Sequence, residues 1–169
     1  MEITLKERLP RLGIFEKAVR EQGVLDLLLA ILKPRRFAAG SVIFEEGDQG
    51  HEMYVLHRGR VRIQKRTPHG QLYTVVLLDD GHDAFFGEAA LMEPERRSAT
   101  VVAEADTECF AMTTEDFVRL GDEHPRVGLL VTREIANLLA ARLRKANQDL
   151  VTLFTALVTE VEGDLGSCS

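Results

Sequence analysis

Met53-Tyr-Val-Leu-His-Arg-Gly-Arg-Val-Arg-Ile-Gln-Lys65 holds two runs rich in β-branched and aromatic residues, split at Gly59. Such side chains suit a pleated, half-buried surface, so each run reads as a short strand. The pattern repeats outward in both directions, as Ser41-Val-Ile-Phe-Glu45 before it and Leu72-Tyr-Thr-Val-Val-Leu-Leu78, Thr100-Val-Val-Ala103 and Glu108-Cys-Phe-Ala-Met112 after it. Glycines punctuate the runs at Gly40, Gly47, Gly50, Gly59, Gly70 and Gly81. Short strands with turns at regular intervals predict an antiparallel sandwich or barrel over residues 35–112. His69-Gly70 falls where a hairpin needs a residue that accepts positive φ.

The flanks have helical periodicity. Over residues 1–34, Leu5, Leu9, Leu12, Phe15, Val19, Val24, Leu25, Leu28, Leu29 and Leu32 recur mostly at three- and four-residue steps, broken by Pro10, Gly13 and Gly23. Several short helices are expected, closed by Pro34. After the strands, Thr113 or Thr114 is placed to cap a helix through Leu120, and Pro125 to open another. A helix from Pro125 to Val161 would be about 55 Å long. It carries Leu139, Leu143, Ala146, Leu150, Leu153 and Leu157 at 4-3-4-3-4 spacing, the seam of a coiled coil. A parallel homodimer through that seam is the economical reading. The alternative is that the stripe packs on its own β domain, with Leu130, Ile135 and Leu138 lying off the seam. The expected division is one domain over 1–163, with helices from 113 to 162, and a disordered tail over 163–169.

Composition narrows the function. With 169 residues the chain is long enough for one buried core and a helical appendage. Its net charge of −6 repels polyanions, so direct binding to nucleic acid is not expected. Cys109 and Cys168 form neither a disulfide framework nor a zinc spacing, and a reducing, cytoplasmic compartment fits. No signal peptide or membrane span is expected, because charge interrupts every apolar stretch. His51, His57, His69, His82 and His124 show no HxH or HxxxH spacing, so neither a metal site nor metal-dependent hydrolysis is indicated.

One segment departs from the strand pattern: Phe85-Phe-Gly-Glu-Ala-Ala-Leu-Met-Glu-Pro-Glu-Arg-Arg-Ser-Ala-Thr-Val101. Glu88 to Met92 reads as an isolated helical turn, opened by Gly87 and ended by Pro94. Backbone N–H groups at Glu88, Ala89 and Ala90 would be unpaired there, beside a glycine that allows close approach, which is the chemistry of an anion site. Arg97 follows nine positions after Glu88, able to clamp the same anion with two parallel hydrogen bonds. Glu88 suits a sugar hydroxyl, and Ser98 a phosphate oxygen or a purine edge. Phosphate with ribose means a nucleotide. Taken singly, Arg97 reads as one more solvated arginine beside Arg96, Glu88 as a helix-start carboxylate, and Gly87 as a turn.

In this segment the chain resembles the phosphate-binding cassette of the cyclic nucleotide-binding domain family, found in bacterial catabolite-activator regulators, cyclic-nucleotide-dependent kinases and gated channels. Phe37-x-x-Gly-x-Val-Ile-Phe-x-x-Gly47-Asp-x-Gly50, Met53-Tyr-Val-Leu and Gly59-x-Val-x-Ile63 extend the likeness. The resemblance implies an α+β fold: an antiparallel β-roll (double-stranded β-helix, or jelly roll) with N-terminal helices and a long C-terminal helix. It implies a noncatalytic sensor of cAMP or cGMP that signals through that helix; related activators carry a helix-turn-helix domain after it, and none is expected in this chain. It places Gly87 and Glu88 on the ribose side, with Glu88 on the 2′-hydroxyl, and Phe86 among the ligand-binding residues. Arg97 and the backbone at Ser98 and Ala99, helped by the amides of Ala89 and Ala90, hold the cyclic phosphate. Asn147 on the long helix meets the base. Two features set the chain slightly apart, Ala90 at a position of varied small residues and Arg96 as a second cation beside Arg97. The rival readings are a dimeric interaction domain with a vestigial or non-nucleotide pocket, and the sensor half of a truncated transcription regulator.

Overall fold

The computed structural model describes residues 3–92 and 96–166, with side chains through residue 159. The expectation that Pro94 ends the cassette turn therefore lies outside the described residues, as does Cys168.

Among the described residues there are four α-helices and eight strands; the helices are α1 (Leu5–Arg8), α2 (Val24–Ile31), α3 (Thr114–Glu123) and α4 (Pro125–Gly166). Between α2 and α3 run eight strands: β1 (Lys33–Phe37), β2 (Val42–Phe44), β3 (Glu52–Arg58), β4 (Arg60–Arg66), β5 (Leu72–Asp79), β6 (Phe85–Phe86), β7 (Thr100–Ala103) and β8 (Thr107–Thr113). They form two four-stranded antiparallel sheets, ordered β1-β8-β3-β6 and β2-β7-β4-β5. This is the antiparallel roll with helical flanks that the strand pattern and the resemblance led us to expect.

Local chemistry explains the boundaries. The β4 to β5 hairpin turns at Gly70, whose φ is 83°. Thr113 is the cap of α3, its hydroxyl accepting from the Asp116 amide at 3.0 Å, and the helix runs on past Leu120 to Glu123. The roll opens at Lys33, before the expected Arg35, because Lys33-Pro-Arg-Arg-Phe37 pairs with β8 as an edge strand. Proline is tolerated at an edge, where its missing N–H breaks no ladder. At the other end α4 continues through Gly163 to Gly166, where a tail had been expected. One glycine costs a helix only about 1 kcal/mol against alanine, too little to force an end.

Tyr54, Leu56, Val61, Phe86, Val101, Cys109 and Ala111 are buried in the roll, with Phe37, Ile43, Phe44, Ile63 and Leu78 packed against them. Arg8 ties the N-terminal segment to this roll. It is 3% exposed, donates to the carbonyls of Asp80 (3.0 Å), His82 (3.1 Å) and His57 (3.4 Å), and lies 3.6 Å from the Asp83 carboxylate.

By its internal contacts the chain divides into two units, residues 1–134 and 135–169. The second is the remaining length of α4. Along it Leu143, Leu150, Leu153 and Leu157 are exposed. Among the described residues no helix is long and apolar enough to cross a membrane, and no group of three or more His, Cys, Asp or Glu side chains is placed to hold a metal.

Candidate functional site

The cassette is built on a left-handed glycine. Gly87 has φ 74°, and a Cβ there would lie 2.7 Å from Nη1 of Arg97, so both backbone conformation and space demand glycine. The chain then makes a single 3₁₀ turn over Glu88–Leu91, closed by the Ala90 amide donating to the Gly87 carbonyl at 3.2 Å. Ala90 was expected to offer a free N–H to an anion. That expectation is corrected here, because the tighter 3₁₀ pitch pairs the third amide with the glycine carbonyl. Thr114, the first residue of α3, anchors the turn from behind, its hydroxyl donating to the Ala90 carbonyl at 2.7 Å.

Arg97 is 9% exposed and lies beside this turn. Its Nη2 donates to the Glu52 carbonyl at 2.7 Å and its Nη1 to the Gly87 carbonyl at 3.4 Å. The guanidinium carbon sits 4.0 Å from the centre of the Phe44 ring, a cation–π contact. Its Nε is buried and has no hydrogen-bond partner. A buried charged donor left unmet costs on the order of 1–3 kcal/mol, which an anion reaching it would recover. Burial pulls the Arg97 pKa below its ordinary value, while Tyr54, Glu52, Asp48 and Glu88 push the other way. Arginine starts so basic that it stays a cation.

The other expected residues are placed unevenly. Phe86 and Glu88 are buried at 2% and 3% exposure, Ala90 and Ala99 are also buried, and Ala89 and Ser98 are exposed. Asn147 is exposed on α4, in the second unit. Arg96 does not compete with Arg97. It is exposed and donates to the Gly47 carbonyl at 2.9 Å, in a β-bridge between Arg96 and Gln49. Adjacent residues of an extended segment point to opposite faces, which sends one arginine in and the other out.

Sequence reasoning missed the shell that holds Arg97. Gly50 leaves room for it, since a Cβ there would lie 2.6 Å from the Arg97 Nε. The Glu52 side chain is held by Arg35 at 2.6 Å and by the Tyr54 hydroxyl at 2.9 Å, fixing the strand whose carbonyl receives Arg97. That hydrogen bond raises the Arg35 pKa, and burial, followed by the Glu52 bond, raises that of Tyr54. The Tyr54 ring stacks on Phe86, with centroids 5.2 Å apart, and on Phe44 at 6.1 Å. Gly50, within the Gly47-Asp-x-Gly50 run, was a visible signal. Phe44 stands in the same run, but its contact with Arg97, like that of the Glu52 carbonyl, joins residues some fifty positions apart and is not legible in the sequence.

Residues 34–124, over half the chain, match the family model of the cyclic nucleotide-binding domain. The chain belongs to that family. It is 38% identical over 126 residues to the cyclic AMP receptor protein of Thermus thermophilus, covering 75% of this chain and 56% of that protein. It is 26% identical to the CRP-like cAMP-activated global transcriptional regulator of Mycobacterium tuberculosis, over 94% of this chain and 66% of that one. The crystal structure of the Thermus thermophilus catabolite activator protein superposes with a TM-score of 0.73 at 35% identity, over 83% of this chain and 62% of the other. The chain thus spans between about half and two thirds of the length of these regulators. The matched region includes Gly87, Glu88 and Arg97.

Proposed function

We propose that the protein is a noncatalytic cyclic nucleotide sensor, binding cAMP in preference to cGMP, working as a homodimer and passing the signal through α4. One observation carries this reading: a buried arginine, Arg97, set against the Gly87 turn with a donor still unmet. The cyclic phosphate is the complement of that donor, with the backbone of Ala89, Ser98 and Ala99 beside it in the proposed site. Glu88 takes the ribose 2′-hydroxyl. The preference for cAMP is supported by the named ligand of the similar regulators. Asn147, with an amide that both donates and accepts, is the base-reading residue of the proposal.

Homodimerisation is supported by the α4 stripe, in which Leu143, Leu150, Leu153 and Leu157 are each 60% or more exposed. Spacing of four and three over about three heptads is what a two-stranded coil buries. A ligand that binds one arrangement of α4 more tightly than another shifts the population between them, which is all a sensor needs.

Calorimetric titration of the purified chain with cAMP and cGMP side by side tests the ligand. Saturable binding with the tighter constant for cAMP is expected. A folded protein that binds neither overturns the sensor reading, and one that prefers cGMP overturns the preference. Asn147→Ala is expected to narrow the gap between the two ligands, and an unchanged gap removes Asn147 from the site.

A further inference from the structure

Thr113 and Thr114 stand together where the start of α3 uses only one hydroxyl. Thr113 is the cap: its hydroxyl accepts from the Asp116 amide at 3.0 Å and donates to the Asp116 carboxylate at 2.9 Å. Thr114 takes the first helical position, which asks for no hydroxyl because the capping acceptor stands one residue earlier. Its hydroxyl is used outside the helix. Oγ1 lies 2.7 Å from the Ala90 carbonyl oxygen and 3.3 Å from that of His51, while the Thr114 amide donates to the same His51 oxygen at 2.9 Å. A hydroxyl has one proton, so the shorter contact to Ala90 is its principal bond and the backbone amide holds His51.

The two anchor points flank Arg97. Its guanidinium bridges two carbonyls, Glu52 through Nη2 at 2.7 Å and Gly87 through Nη1 at 3.4 Å. Thr114 therefore grips β3 one residue before the first acceptor and the 3₁₀ turn three residues after the second. The turn is already joined to β3 on its entry side, where Phe85 and Phe86 pair with Val55 and Tyr54. Its exit side is held by the Thr114 hydroxyl, which binds Ala90, a residue only 5% exposed. Between these two ties the separation of the Glu52 and Gly87 carbonyls is fixed, and with it the place of the unmet Arg97 Nε.

We propose that Thr114 is a positioning residue of the ligand site: its hydroxyl clamps the cassette turn to the start of β3 and so fixes the cradle from which Arg97 meets an anion. The clamp rests on the cyclic nucleotide reading above only for the identity of that anion. A turn freed at its exit lets the Gly87 carbonyl drift, and ordering it again on binding lowers affinity.

Thr114→Val tests this, because it keeps the β-branched shape and the amide bond to His51 and removes only the hydroxyl. The folded variant is expected to bind cAMP about threefold to tenfold more weakly, the effect of one hydrogen bond, with an unfolding midpoint close to that of the wild type. Thr114→Ala, a second variant without the hydroxyl, should do the same, and Thr114→Ser, which restores it, should bind within about twofold of the wild type. Two measurements separate positioning from a general structural role. In an Arg97→Leu background Thr114→Val should cost no further affinity, since its effect passes through Arg97, whereas independent effects add. Without any ligand, NMR should show the Arg97 Nε proton exchanging with water faster in Thr114→Val than in the wild type. Wild-type affinity in both hydroxyl-free variants, a serine that fails to rescue, a full additive loss on Arg97→Leu, or unchanged proton exchange overturns the clamp. A wild type that binds neither cAMP nor cGMP overturns the nucleotide reading instead, and the proton exchange then decides the clamp by itself.

Discussion

Arg8 and Arg97 are both buried arginines, and the difference between their surroundings separates structure from function. Arg8 joins the N-terminal segment to the roll through three carbonyls and lies 3.6 Å from the Asp83 carboxylate. Arg97 donates to the carbonyls of Glu52 and Gly87, rests on the Phe44 ring and sits in space that Gly50 and Gly87 leave open. Both leave Nε unmet, so an unmet donor alone does not make a binding site. What distinguishes Arg97 is its place beside the left-handed glycine turn that leads into the exposed residue Ala89. The same side chain is a tie in one region and, in the function proposed above, a recognition element in the other.

The largest effect should come from the tie. Arg8→Ala removes a buried cation from three carbonyls and a carboxylate, and is expected to cost about 2–4 kcal/mol of stability. Denaturant unfolding measures that loss, and the affinity of the protein that remains folded should be unchanged. If Arg8→Ala instead weakens nucleotide binding at full stability, the contrast between the two arginines fails. Arg97→Leu should behave in the opposite way. It removes a charge-assisted contact of about 1.5–3 kcal/mol, so cAMP affinity should fall about tenfold to a hundredfold or more while the unfolding midpoint barely moves. Calorimetry on the folded variant decides it, and unchanged affinity would remove Arg97 from the site.

Gly50→Ala sharpens the comparison. Its Cβ would crowd the flexible end of Arg97, which should shift off the Glu52 carbonyl and lower affinity by about fivefold, with little loss of stability. The smallest effect is expected at the N-terminus. Hydrogen bonds from the Thr4 backbone and hydroxyl hold the Glu7 carboxylate below its ordinary pKa of 4.5. Its contribution is therefore present above that value and lost as pH falls through the lowered one. Glu7→Gln should accordingly flatten the acid limb of a plot of stability against pH, and a limb that keeps its slope would exclude the capping box as a contributor.

Strands with β-branched runs were legible because one side chain in two must face the core, as in β7, where Val101 and Ala103 are buried and Thr100 and Val102 only half-buried. β1 was not, because Lys33-Pro-Arg-Arg-Phe37 has no apolar alternation and becomes a strand only by pairing with β8. β6 is just two residues, Phe85 and Phe86, paired with Val55 and Tyr54. The cassette turn was legible from Gly87 and the helix formers after it. The free amide expected at Ala90 was not to be had, because whether a turn closes as 3₁₀ or α depends on what packs behind it. In the folded turn the Ala90 amide donates to the Gly87 carbonyl.

Residue order alone determined the antiparallel roll, its helical flanks, the Gly87, Glu88 and Arg97 constellation and the leucine seam of α4. Each of these is written in local periodicity, turn chemistry or spacing, which act over a few bonds. Only the tertiary structure decided which of two adjacent arginines turns inward, which carbonyl receives it and how much apolar surface α4 leaves uncovered. Those depend on residues far apart in sequence meeting in space, and no local pattern encodes which partners will meet.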